Sequence, residues 1–269
     1  MTEIGSSSES TRLPLPHGRG ALTLAWGAAT DVGHRRQVNE DSFVVEPPIF
    51  AVADGMGGHA AGDLASSAVV KRLGAVVSQG YVTPAAIGLA LAQASHDIGH
   101  LDGTSIVGAG TTVTGMALTM SGEDPYFAVF NVGDSRVYRE LEGEFEQVTI
   151  DHSVVQELVD SGAITRRQAE NHPDSNVITR AIGFNEPPMP DYWMLPMEPG
   201  LRLLACSDGL SKELDDERIH TVLSAGLPAG ETAAELVRQA LESGGRDNVT
   251  VVVVDVLAVE PGEPASSPA

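Results

Sequence analysis

The sequence predicts an α+β sandwich of antiparallel sheets flanked by pairs of helices, on three observations. Its apolar segments run as strands, two helices, strands, two helices and a last strand. A parallel doubly wound sheet would instead alternate single helices with single strands. The strand-like runs between residues 111 and 149 are joined by short polar turns such as Ser121-Gly122-Glu123-Asp124, which is the pattern of an antiparallel meander. The 269 residues, 42% of them apolar, suffice for one large core, and nothing mid-chain reads as a linker.

Each element has a local signal. Residues 1–20 are polar and rich in Ser, Pro and Gly, and are expected to form a disordered tail. Order is expected from residues 22–26. Residues 42–46 and 49–53 read as a strand pair interrupted by Pro47-Pro48. After Asp54 a Gly-rich turn, Gly55-Met56-Gly57-Gly58-His59, leads into a helix over about residues 62–78, where Leu64, Ala68, Val69, Leu73, Val76 and Val77 recur at helical spacing. A second helix, about 84–98, opens on Pro84, where a missing N–H costs little. Strands are expected at 111–118, 126–132, 136–141 and 145–149. Residues 151–175 read as an excursion from the sheet with short helices near 153–161 and 165–171. Strands resume at 177–182, 191–194 and 201–206, and helices at about 215–224 and 231–242. The closing strand, 248–256, is almost wholly β-branched. One ordered domain is thus expected over 21–258, with a second disordered tail over 259–269.

Composition excludes several roles. The formal charge is −21, with 37 acidic against 16 basic residues, a balance that repels nucleic acid and anionic membrane. Cys206 is the single cysteine, so no internal disulfide can form, which fits a reducing compartment. No apolar run of about 18 residues is present, and the first residues, MTEIGSSSES, lack the basic and apolar regions of a secretory signal. A cytoplasmic, monomeric protein without membrane or nucleic-acid partners is expected.

Four acidic positions share one setting. In Val52-Ala53-Asp54-Gly55, Val132-Gly133-Asp134-Ser135, Cys206-Ser207-Asp208-Gly209 and Arg246-Asp247-Asn248-Val249 an Asp sits at the end of an apolar run, beside Gly, Asn or Ser. Carboxylates gathered at about 4 Å repel by roughly 4 kcal/mol per pair at an effective dielectric of about 20. Divalent cations are the simplest relief, so the pattern points to an all-oxygen metal centre. Glycines beside Asp54 let the backbone approach closely, so a carbonyl can also be a ligand. Asp134, Asp208 and Asp247 each also suit a turn or a strand cap when taken alone. Arg36, four residues before the adjacent Glu40 and Asp41, offers a guanidinium fork for phosphate oxygens, and Arg35 is an equal candidate by composition. His59, at the mouth of the following helix, is a candidate for proton transfer. No GxxxxGK[ST] loop and no HExxH is present. Cys206, with Lys212 rather than an Arg six residues on, does not make a cysteine-phosphatase loop and reads as core.

In sequence order, RQVNEDSF, AVADGMGGHAAG, GAGTTVTGMAL, VFNVGDSRVYR, DHSVVQELVDSGAIT, NHPDSNVITRAIG, LLACSDGLS and GGRDNVTVVVV resemble the metal-dependent Ser/Thr protein phosphatases of type 2C, in the form of their bacterial branch. The resemblance covers about residues 24–257. It implies a four-layer αββα sandwich as the catalytic domain, with metals at one end between the sheets and a flap at about 151–175. It further implies Mn2+ or Mg2+, two per site, with Asp54 bridging both, the Gly55 carbonyl binding one, and Asp208 and Asp247 holding the other. Asp134 with Asp208 matches the ligands of a third metal that family members often carry. Arg36 would bind the substrate phosphate, Glu40 and Asp41 would act mostly through water, and His59 would be the general acid. The implied reaction is hydrolysis of phosphoserine or phosphothreonine by a water held between two metals. Phosphorylated proteins would be the substrates and Ser/Thr kinases possible partners. A scaffold that binds without turnover, and a hydrolase of small phosphoesters, are the competing readings.

Overall fold

The computed structural model describes residues 1–57, 61–76, 80–100, 108–169, 171–184 and 187–261, and among them two six-stranded sheets. One sheet has the order β1 (Glu3–Gly5), β4 (Ser42–Glu46), β5 (Ile49–Ala53), β8 (Val113–Ser121), β9 (Asp124–Val132) and β12 (Asp191–Pro196). The other has the order β11 (Glu144–Gln147), β10 (Arg136–Leu141), β13 (Arg202–Cys206), β14 (Val249–Pro261), β3 (Gly20–Asp31) and β2 (Ser8–Pro14). A two-stranded ribbon pairs β6 (Gly55–Met56) with β7 (Gly110–Thr111). Every ladder in the two large sheets is antiparallel except β1 with β4.

Side-chain alternation along the strands sorts the apolar residues into three layers. Ile49, Ala51 and Ala53 of β5 face helices α1 (Ala61–Gly74) and α2 (Pro84–Ile98), where they meet Val69, Leu73, Ile87 and Leu91. Phe50 and Val52 face the other way, into a central layer shared with Trp26, Met116, Leu203, Val252 and Val254. Val249, Val251 and Val253 of β14 face a third layer under α5 (Asp208–Ser211), α6 (Asp216–Leu223) and α7 (Ala229–Ser243). Burial on both faces is why β14 is β-branched over residues 249–254 rather than alternating with polar residues. The helices, two sheets and helices form the four layers that the family resemblance implies. Two short helices, α3 (Val154–Asp160) and α4 (Arg166–Ala169), lie in the predicted flap.

Three expectations are corrected. Residues 1–20 are not a featureless tail, since β1 joins the edge of one sheet and β2 the edge of the other. The link between them is held by the Trp26 indole, which donates to the Ser6 carbonyl at 2.8 Å. A sheet edge presents unpaired backbone donors and acceptors, so a polar segment can be ordered by backbone pairing alone. Its few apolar residues, Ile4, Leu13 and Leu15, pack on the cores. The strand expected at 177–182 is absent; only isolated bridges occur there, at Ile178 to Ser153 and at Ile182 to Thr111. At the other terminus β14 continues to Pro261, so 259–261 belong to the sheet, and 262–269 lie outside the described residues.

Candidate metal centre

The acidic strand ends converge at one end of the sandwich. Asp54 follows β5. Its carbonyl accepts from the Thr112 backbone N–H at 2.9 Å and from the Thr111 hydroxyl at 2.8 Å, and its N–H donates to the Thr112 hydroxyl at 3.2 Å. Gly55 then passes under the first turn of α1. A Cβ there would stand 2.2 Å from the Gly62 carbonyl oxygen and 2.5 Å from that of Glu40, so only glycine admits this crossing. From the second sheet, Ser207 follows β13 and Asp208 opens α5. The turn is tight enough that a Cβ on Gly209 would lie 2.0 Å from the Asn248 carbonyl oxygen.

Asp41 is fully buried, and one of its oxygens, Oδ2, accepts from the Ser207 hydroxyl at 2.9 Å. The same Ser207 oxygen accepts from the Thr250 N–H at 2.9 Å, tying β14 to the site. Asn248 clamps the segment that carries Arg36 and Glu40. Its amide oxygen accepts from the Glu40 N–H at 2.9 Å, and its amide nitrogen donates to the carbonyls of Val32 and Val38 at 2.9 and 3.1 Å. Arg36 reaches across to Asp247, Nη2 to Oδ2, at 2.7 Å.

The electrostatics shows how closely the acids are gathered. Burial drives the Asp54 carboxyl well above its ordinary range, and Asp41, Asp208, Asp134 and Asp247 push it further. Asp41 is pushed up to about 7, first by burial and then by Asp208 and Asp247, against the hydroxyls of Thr250 and Ser207. Asp134 is likewise pushed up to about 7 by burial and by Asp208, with Lys212 acting against the rise. Glu40 is raised by burial, and Arg36 offsets part of that. Asp41, Asp54, Asp134, Asp208, Asp247, Glu40 and Arg36 thus occupy one site, while His59 lies outside the described residues. Among the described residues no three acidic, His or Cys side chains stand close enough to chelate one ion as they are. Instead Asp247 is turned onto Arg36 and Asp208 onto Lys212.

The donor chemistry nevertheless fits hard divalent cations. Asp41 Oδ1 and Asp208 Oδ1 are buried without a hydrogen-bond partner, and the candidate ligands are all oxygens. Sequence reasoning missed Ser207, Asn248, Thr112 and Lys212, which hold the acids. For Ser207, Asn248 and Lys212 the one sequence-level signal was position, each within four residues of a strand-end Asp, while Thr112 lies between β7 and β8 and had none.

Fold and site together define an αββα sandwich with a carboxylate-rich, all-oxygen centre between its sheets. The protein phosphatase 2C family model matches residues 32–244, and the chain belongs to that family. It is 38% identical over 252 residues to the serine/threonine protein phosphatase PstP of Mycobacterium tuberculosis, covering 91% of this chain and 47% of that protein. The chain therefore spans about half the length of that relative. It is 34% identical over 240 residues to the protein phosphatase PhpP of Streptococcus pneumoniae, covering 84% of this chain and 95% of that one. The crystal structure of the PstP catalytic domain in complex with two manganese ions superposes with a TM-score of 0.76 at 36% identity, covering 87% of this chain and 99% of that one.

Proposed function

We propose that this chain is a metal-dependent phosphatase acting on phosphoserine and phosphothreonine in proteins. The observation that carries the reading is the gathering of buried acids from both sheets, two of their oxygens without a partner, beside an arginine at the rim. Asp54, the Gly55 carbonyl, Asp208 and Asp247 would hold two Mn2+ or Mg2+ ions. When bound, such a pair supplies a water of lowered pKa and positive charge against the phosphoryl oxygens.

The chain's own residues do the rest. Asp41 is fixed at Oδ2 by Ser207, so its free Oδ1 is the acceptor that orients the attacking water. Glu40 holds its place on the rim through the Asn248 clamp and acts through water. Arg36 is half-exposed, and its guanidinium can leave Asp247 Oδ2 to fork two phosphate oxygens as charge builds on them. His59 donates a proton to the departing Ser or Thr alkoxide, which is a poor leaving group otherwise. Cys206 is buried and its thiol is pushed up to about 12 by burial, so it takes no nucleophilic part. The flap beside the site is suited to contact with the phosphoprotein, whose source would be Ser/Thr kinases. The buried, unpaired Cys206 agrees with a reducing cytoplasm.

The test is Mn2+-dependent phosphate release from a phosphothreonine peptide, set against a sugar phosphate and a nucleotide. The reading expects preference for the peptide and loss of turnover in Asp54→Ala and Asp208→Ala. Turnover that survives a chelator and both substitutions would end it.

A further inference from the structure

Lys212 caps the C-terminal end of α5, four residues after Asp208. Its backbone N–H donates to the Asp208 carbonyl at 2.8 Å, and its ammonium donates to Asp208 Oδ2. The side chain thus folds back along the helix towards the acids instead of extending into solvent. Its backbone is held from the other side, where Arg246 Nη2 donates to the Lys212 carbonyl at 2.9 Å. Arg246 is itself fixed by Glu213, whose Oε1 accepts from the Arg246 N–H and Nε, each at 2.9 Å. These ties pin residue 212 between the start of α5 and the loop that carries Asp247.

The ammonium sits among acids from both sheets. It pairs directly with Asp208 Oδ2, and the Lys212 side chain is only 35% exposed. Asp134, which follows β9 of the opposite sheet, lies within electrostatic reach of both Asp208 and Lys212. The family resemblance assigned Asp134 and Asp208 to a third metal, and the structure does not fit that assignment. A lysine has three donors and no acceptor, so it can satisfy carboxylate oxygens but cannot ligate a metal. A dication brought within about 4 Å of the ammonium would meet twice the repulsion between two unit charges.

We propose that Lys212 stands in place of a third divalent cation, so that this chain binds two metal ions and its own ammonium, paired with Asp208 and within reach of Asp134, serves as the permanent counter-ion there. The inference rests on the reading of the site as a divalent-metal centre. It also divides the labour of Asp208: Oδ2 is committed to Lys212, while Oδ1, which has no partner, is left for the metal pair.

Mn2+ stoichiometry of the full chain tests this, by equilibrium dialysis with elemental analysis and by calorimetry. The wild type should saturate at two Mn2+ per chain up to millimolar metal. K212D, which replaces the cation with a ligand, should bind three, the third at least about ten-fold tighter than any third event in the wild type. K212Q removes the charge without adding a carboxylate and serves if K212D does not fold. It should also tighten the third event, and adding Asp134→Asn should abolish that gain. Three Mn2+ on the wild type, or variants that bind as the wild type does, would overturn the inference while leaving the metal-centre reading intact. No Mn2+ on any of them would sink that reading and this inference with it.

Discussion

The two ends of the β13–β14 pair solve the same electrostatic problem in opposite ways. At one end Arg202 and Asp255 face each other across the ladder. Arg202 Nε and Nη2 donate to the two Asp255 oxygens at 2.6 and 2.8 Å. The remaining donors reach the carbonyls of Leu223 and Leu227, each at 2.7 Å, and the Thr232 hydroxyl at 3.2 Å. Charge is matched and the guanidinium closes the connection between α6 and α7 onto the sheet. At the other end the same strands deliver Asp208 and Asp247 to a site where carboxyl groups outnumber cations and two oxygens lack any partner. Matched buried charge holds a structure, and unmatched buried charge is tolerated where a ligand will complete it.

Substitutions at the two ends should therefore have opposite signatures. The largest effect is expected at the unmatched end. Asp54→Asn should lower Mn2+-dependent phosphate release at least about a thousand-fold, a barrier change on the order of 4 kcal/mol. Melting in chelator should at the same time show a higher Tm, because a carboxyl repelled by four others has been neutralised. A lower Tm for the metal-free variant would break the contrast. At the matched end, Arg202→Met should cost about 3–5 kcal/mol in urea unfolding, since Asp255 is left buried and alone, while kcat/KM of the folded protein is retained. Loss of activity without loss of stability there would refute the purely structural role.

Two smaller effects sharpen the boundary between the ends. Ser207→Ala removes the donor to Asp41 and the acceptor of the Thr250 N–H, and should cost about 1–3 kcal/mol by urea unfolding together with a fall in kcat. Glu213 should show the least. Burial acts to raise its carboxyl, but the Arg246 side chain and backbone N–H outweigh it and hold the group below its ordinary 4.5. The stabilisation is present above that pH and is lost as pH falls through the lower folded value. Glu213→Gln should therefore flatten the acid limb of the stability profile below about pH 4.5, by at most about 1 kcal/mol. A change on the alkaline side would reverse the assigned sign.

Much of this architecture was legible in local pattern. The strands at residues 42–46 and 49–53 and the helix at 84–98 carry the expected bounds, because prolines and alternation mark their ends. Asp41 was marked only by its place beside Glu40 and by the family resemblance, whereas the gathering of Asp54, Asp134, Asp208 and Asp247 was legible because an acid at the end of an apolar run is costly unless it is used. The first twenty residues were not, since their order comes from the edges of two sheets built by distant strands. Lys212 was not either: in the sequence it only argued against a cysteine-phosphatase loop, and its pairing with Asp208 is a feature of the folded chain.

By itself the sequence determined which residues must be buried, where strands stop, and that several acids would share the fate of needing a counter-charge. Periodicity, turn residues and charge are local quantities, and they act before the chain is folded. Only the tertiary structure decided which counter-charge each acid meets. Arg36 on Asp247, Lys212 on Asp208 and the unpartnered oxygens of Asp41 and Asp208 follow from the packing of two sheets. Coulomb energies depend on distances between side chains far apart in sequence, and those distances exist only once the sandwich has closed.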